Sequence, residues 1–399
     1  MNTRDVKKEY IRKLLNASLS NKKYSTVIFR SSFALDEIKD VMEELKDEFG
    51  LERVIYIDFD LPKIIDFYNN NPSEEDLDRF VPKLPDVVGN TKIIYFNNAI
   101  TDLSNDYYSQ ANRDYFKRLK DKNPELIDFI SKADKSDKTV STCPNRPWAN
   151  SLLGSPDRID ELWDKINNTV LDIETTKEEI DERVRRRKEL ERMKIRHLHF
   201  NTDVGTDLRI SLNPHSLWAC EPNESFGKAN LFNYPSYEIY TSPNCYSAEG
   251  KIELTKKRRF YYDILVDHAT FEFKKGKLVG VDSNDKEFGK ILMHKKNKMN
   301  RIGEIALVGQ DTPLAKTGEY YDSVILDENA GCHFALGYSL ESCIDIPKEK
   351  LIEKGKRYYR YNTSKYHQDF IFGDDSISVE AETKDKRKIL LMDKGLWRI

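Results

Sequence analysis

The sequence predicts an α/β amino-terminal domain with a mainly parallel sheet, followed by an α+β domain rich in antiparallel strands. Three observations lead there. Short apolar runs alternate with helical patterns through the first half of the chain, the pattern of βαβ units. A long charged helical stretch follows at 155–195. From about residue 196 the texture changes to segments that alternate polar and apolar, as half-exposed strands do. The change of period places a domain boundary between 1–195 and 196–399.

In order along the chain, Ser25–Phe29, Val54–Ile57, Lys92–Tyr95 and Thr139–Thr142 read as short buried strands, with helical patterns at 34–48, 62–70 and 105–132. The turn after the first strand is Arg30-Ser-Ser-Phe-Ala34. It lacks the Gly-x-Gly-x-x-Gly that lets a backbone approach a pyrophosphate, so this sheet reads as scaffold and not as a dinucleotide site. The segment from Ser141 to Ala149, with Pro144 and Pro147, reads as a strand end entering a loop in which Trp148 caps a core or faces a cleft. The stretch at 155–195 begins acidic and ends basic, which suits the helix macrodipole, and its interleaved charges read as a solvated face. Beyond it, the segments from His197, from Thr206, and at Lys251–Leu254, Thr270–Phe273 and Lys277–Val281 read as strands.

Bulk properties narrow the function. The 399 residues are long enough for two domains with real cores, 39% of them hydrophobic and 33% charged. Lys plus Arg is 65 against 68 for Asp plus Glu, a net charge of -3. That balance gives no electrostatic footprint for nucleic acid or an anionic membrane. No stretch reaches the length of a membrane span, and the amino-terminal residues lack the apolar core of a signal peptide. The five cysteines are scattered without a C-x-x-C pair, which fits reduced thiols in the cytoplasm.

Chemistry concentrates in the carboxy-terminal half. Glu238 ends Asn233-Tyr-Pro-Ser-Tyr-Glu; Glu304 precedes the apolar run Ile-Ala-Leu-Val; His333 follows Asp327-Glu-Asn-Ala-Gly-Cys; and His367 and Asp369 stand two apart. Two histidines and three carboxylates are ligand types for borderline divalent metals. The carboxylate count exceeds the need of one catalytic ion and suits two ions sharing a bridging carboxylate, an arrangement fitted to hydrolysis. A carboxylate at the mouth of a buried strand, as at Glu304, needs a charged partner. Residues two apart on a strand share a face, so His367 and Asp369 can meet one metal or a pair. The segment Asp327-Glu328-Asn329 is positioned in sequence to orient the His333 ring through a hydrogen bond, with Asp327, Glu328 and Glu319 as outer carboxylates. His197 and His199 also share a face but sit where the charged helix ends, and His215, His268 and His294 have no carboxylate pattern around them.

These segments, in this order, resemble the aminopeptidase T family of thermophilic-type metalloaminopeptidases. The resemblance rests on Asn233–Glu238, on Gly303-Glu304-Ile-Ala-Leu-Val, on Asp327–Gly337 and on His367-Gln-Asp-Phe-Ile-Phe-Gly373, with the Pro147-Trp-Ala loop, Gly205–Leu208 and Asp393–Trp397 as further landmarks. It implies an α/β domain joined to an α+β catalytic domain, a cytoplasmic homodimer and removal of N-terminal residues from peptides. It implies two divalent ions, zinc or cobalt, with manganese or magnesium as further candidates, held by Glu238, Glu304, His333, His367 and Asp369. The family's tyrosine ligand falls on Leu340, and Tyr338, two residues earlier, is the substitute.

The expected reaction is hydrolysis of the first peptide bond of a peptide with a free N-terminus, by water or hydroxide activated between the two metals. Glu238 and Glu304 are the candidate bridging carboxylates, and no separate general base is assigned. Two other readings compete: a family-like scaffold that has lost catalysis and binds a peptide or partner, and another metallohydrolase, an amidase or dipeptidase, using the same ligands.

Overall fold

The computed structural model describes residues 2–19, 24–31, 35–58, 90–96, 138–167, 177–222, 232–260, 264–294 and 298–399, with positions 73, 75, 121 and 169. The helices expected at 62–70 and 105–132 lie outside the described residues, position 121 apart. The chain divides into two compact units. The first is Met1–Ile173 with Phe226–Tyr234 and Tyr261–Asp263, and the second is Glu174–Ser225, Pro235–Phe260 and Ile264–Ile399.

The first unit is the expected α/β layer. Strands β1 (Thr26–Ser31), β2 (Arg53–Asp58), β3 (Thr91–Phe96) and β4 (Lys138–Ser141) form one parallel sheet in the order β2-β1-β3-β4. Val27, Ile28 and Phe29 are buried in succession, as a strand covered on both faces requires. Helix α1 (Thr3–Leu19) turns Val6, Tyr10, Ile11, Leu14 and Leu15 inward at helical spacing. Helix α2 (Lys39–Glu48) does the same with Val41, Met42 and Leu45. The Pro147 segment is not the loop expected from its prolines. It is the first turn of helix α3 (Arg146–Leu153), where Asn145 Oδ1 accepts the Trp148 N–H at 2.9 Å and Pro147 sits where no amide is needed. Trp148 is buried in the core.

Helix α4 (Ile159–Ile166) and helix α5 (Lys177–Met193) replace the single helical stretch expected at 155–195. Helix α5 groups with the second unit, whose first residue is Glu174. The reason is local bonding. Arg183 Nε donates to the Glu221 carbonyl at 2.9 Å, and Glu191 Oε2 accepts the Trp218 N–H at 3.0 Å.

The second unit carries the remaining strands: β5 (Ile195–Asn201), β6 (Asp207–Ser211), β7 (Trp218–Cys220), β8 (Ile239–Thr241), β9 (Glu249–Glu253), β10 (Arg258–Phe260), β11 (Ile264–Val266), β12 (Ala269–Lys274) and β13 (Lys277–Ser283). Then come β14 (Ile302–Leu307), β15 (His333–Gly337), β16 (His367–Ile371), β17 (Ser378–Thr383), β18 (Lys388–Asp393) and β19 (Leu396–Trp397). An eight-stranded sheet runs β13-β12-β9-β6-β5-β17-β18-β19, and a five-stranded sheet runs β16-β15-β14-β8-β7. Both are antiparallel. The two meet through aromatic rings. Phe334 and Phe370 of the five-stranded sheet pack on Phe271 of the other, each with centroids 5.2 Å away. Burial of a Phe side chain is worth about 1.5–3 kcal/mol, so this layer fixes one face of the five-stranded sheet and leaves the other face to be occupied differently.

All five cysteines are buried free thiols. Among the described residues no helix is long and apolar enough to cross a membrane.

Candidate metal centre

The register of the five-stranded sheet decides which side chains converge. In β14 the irregularity between Ile302 and Glu304 aligns Glu304 with Ala335 and Ala306 with His333. Strand β16 aligns Asp369 with Ala335 and His367 with Gly337. Strand β8 aligns Tyr240 with Ala306, and Glu238 stands two residues before Tyr240. Because alternate residues share a face, Glu238, Tyr240, Glu304, His333, His367 and Asp369 all project to the side opposite Phe334 and Phe370. Two glycines allow this close approach. A Cβ on Gly303 would meet the Gly337 carbonyl at 2.2 Å, and Gly337, with φ +127°, would meet the Tyr366 carbonyl at 1.9 Å.

On that face the ligand-type atoms form three groups, in each of which all lie within 4.8 Å of one another: Glu238, Glu304 and His333; Glu304, His367 and Asp369; and Glu328, His333 and Asp369. His333 Nε2 is 3.2 Å from Glu238 Oε2, and His367 Nε2 is 2.9 Å from Glu304 and 3.3 Å from Asp369. The opposite ring nitrogens are already committed. His333 Nδ1 lies 3.2 Å from the Gly331 carbonyl and His367 Nδ1 lies 3.1 Å from the Tyr338 carbonyl. A carbonyl only accepts, so each Nδ1 donates and each Nε2 faces the carboxylates.

The electrostatics are those of a cation site. Four carboxylates crowd two imidazoles, and among the described residues no lysine or arginine pairs with any of them. Burial raises Glu304, opposed by its hydrogen bond and attraction to His367. Burial holds Glu328 well above the carboxylate range, and Glu238 and Asp369 push it further. Burial alone would depress His333, but Glu238, Glu328 and Asp369 outweigh it and bring it to about 10. His367 is likewise held well above its ordinary value against burial, by Asp369 and Glu304. Burial works to raise Asp369, yet His367 and His333 bring it to about 2. Uncompensated buried carboxylates of this density are costly unless cations join them. The donor set fits divalent metals: imidazole Nε2 atoms held in the right tautomer, with oxygen ligands around them.

The segment before His333 works differently from the sequence reading. Asp327 does not orient the imidazole. Its two carboxylate oxygens accept the Tyr321 and Ser323 N–H groups at 2.8 and 3.0 Å, closing the turn before β15. Asn329 clamps the run into Glu238, its Oδ1 accepting the Tyr237 N–H and its Nδ2 donating to the Pro235 carbonyl. Glu328, read from sequence as an outer carboxylate, joins the centre itself. The short helical turn Glu328–Ala330 turns it there, and no sequence periodicity signals that turn. Glu319 is exposed and lies outside the three groups. Tyr338 rests its ring on His367, centroids 4.5 Å apart, while 37% of the residue stays exposed. Leu340 is half-buried and packs on Tyr240, Ala219, Ala306 and Cys343. His197 and His199 are elsewhere, on β5, bonded to Ser211 and Asp207.

A sheet face built this way is that of a candidate divalent-metal protein. The chain belongs to the thermophilic metalloprotease (M29) family, whose model matches residues 9–397, a family of metal-dependent aminopeptidases. It is 26% identical over 288 residues to aminopeptidase PepS of Streptococcus thermophilus, covering 68% of each chain. It is 30% identical over 207 residues to aminopeptidase T of Thermus aquaticus, covering 51% of this chain and 49% of that one. Among solved structures, wild-type AmpT from Thermus thermophilus superposes with a TM-score of 0.75 at 20% identity, over 98% of this chain and 99% of that one. A 2,5-dihydroxypyridine dioxygenase from Pseudomonas putida KT2440 also superposes, with a TM-score of 0.51 at 14% identity, over 100% and 98%. Likeness at those identities establishes the fold, and one fold carries different chemistries.

Proposed function

We propose that this chain is a two-metal aminopeptidase that hydrolyses the N-terminal bond of peptides with a free α-amine. The observation that carries the reading is that Glu304 belongs both to the group with Glu238 and His333 and to the group with His367 and Asp369. In this reading Glu304 would be the carboxylate common to two ions, Glu238 and His333 would hold one of them, and His367 and Asp369 would hold the other. Zinc or cobalt suits the set, with manganese or magnesium as further candidates. When bound, such ions activate water at neutral pH and polarise a carbonyl oxygen.

The chain's own residues do the rest. The Gly331 and Tyr338 carbonyls fix the imidazole tautomers. Tyr338, the substitute ligand expected from sequence, rests its ring on His367 beside the centre. Glu328 is buried against His333 and Asp369, and burial raises its carboxyl above the ordinary range. On the family likeness, the same reading makes the protein a cytoplasmic homodimer.

Chelation tests the proposal. EDTA treatment should abolish turnover of amino-acid anilides, and zinc or cobalt should restore it; activity that survives complete metal removal would rule the reading out. Leu340, apolar where the family places a tyrosine, favours the rival of an impaired binding protein, which would hold fewer than two ions per chain. An amidase would cleave N-terminally blocked substrates as readily as free ones, whereas an aminopeptidase requires the free amine.

A further inference from the structure

Tyr240 is a polar side chain on the ligand face of β8 that the centre described above does not use. Register puts it directly opposite Ala306 on β14 and Ala219 on β7, and two residues along β8 from Glu238. Glu304 is the next residue on the same face of β14. Diagonal neighbours across an antiparallel pair lie about 7–8 Å apart, within reach of an aromatic side chain. Both alanines pack in one cluster with the ring. Tyr240 is buried, 8% exposed, and Leu340 and Cys343 close over it. Of the five side chains in that cluster, only Tyr240 carries an oxygen donor.

We infer that Tyr240 supplies a phenol oxygen to the ion held by Glu238, Glu304 and His333, beside the apolar position at Leu340. The inference rests on the two-metal reading and adds a ligand to it. The phenol proton passes to solvent as the oxygen binds, and the ring, pinned between Ala219, Ala306, Leu340 and Cys343, sets the direction of the donor. Tyr338 has a different place, stacked on His367 at the other group.

Metal-free full-length protein titrated with zinc against a chromophoric chelator tests this. Wild type should bind two ions. Tyr240→Phe should keep its fold by circular dichroism and weaken one of the two by at least about 10-fold, while Tyr338→Phe leaves that ion's affinity within about twofold. Loading with iron(III) gives a second readout, since a phenolate ligand produces a visible charge-transfer band. The band should appear in wild type and Tyr338→Phe and vanish in Tyr240→Phe, and Leu340→Tyr added to Tyr240→Phe should bring it back. Two ions bound with unchanged affinity in Tyr240→Phe, or a band that survives there, overturns the assignment of Tyr240 and leaves the two-metal reading intact. Fewer than two zinc ions in wild type defeats the two-metal reading itself, and with it this inference.

Discussion

His333 and His367 each commit Nδ1 to a backbone carbonyl and turn Nε2 toward carboxylates. Without metal, those carboxylates hold protons on the imidazoles, His333 to about 10 and His367 well above its ordinary value. A metal binds only the neutral ring, so protons and metal compete. The sign follows: raising the pH removes the competing proton and strengthens binding. Because His333 sits near 10 and not near 6.5, zinc affinity should keep climbing from pH 7 toward 10, by roughly tenfold per pH unit for each proton released. Competition titrations across that range would show the climb. A plateau above pH 7 would mean that the imidazoles are already neutral in the metal-free protein. At this scale the sequence was informative for Glu304 and for the His367–Asp369 pair, because strand parity alone puts neighbours two apart on one face. Glu328 was not legible, since its direction is set by a three-residue turn that leaves no periodic trace.

At the scale of elements, the centre depends on three strand ends meeting closely. Gly337 carries φ +127° and leaves no room for a Cβ against the Tyr366 carbonyl. Gly337→Ala should therefore strain the junction of β15 and β16 by on the order of 1–3 kcal/mol, and should misplace His367, which pairs with residue 337. Denaturant unfolding and zinc affinity measured together would show both losses; an alanine variant with native stability and native affinity would remove the glycine from the account. The alternating segments of the second half were readable as strands because period 2 survives in sequence. Their order was not, since β16-β15-β14-β8-β7 joins segments far apart in the chain. The prolines misled at residue 147, where Asn145 caps a helix that the Pro pair suggested would not form.

For the whole molecule, the division of labour follows from burial. The parallel sheet of the first unit is covered on both faces and offers scaffold. The five-stranded sheet of the second unit packs one face on aromatic rings and gathers carboxylates on the other. The change of texture near residue 196 marks the start of the β strands, and α5, which precedes it, bonds forward onto β7 and the residue after it. The central claim is that two ions share Glu304. Anomalous diffraction from zinc-loaded crystals tests it most directly. Two peaks per chain with the Glu304 carboxylate between them is the result expected; a single peak, or two with Glu304 touching only one, would contradict it.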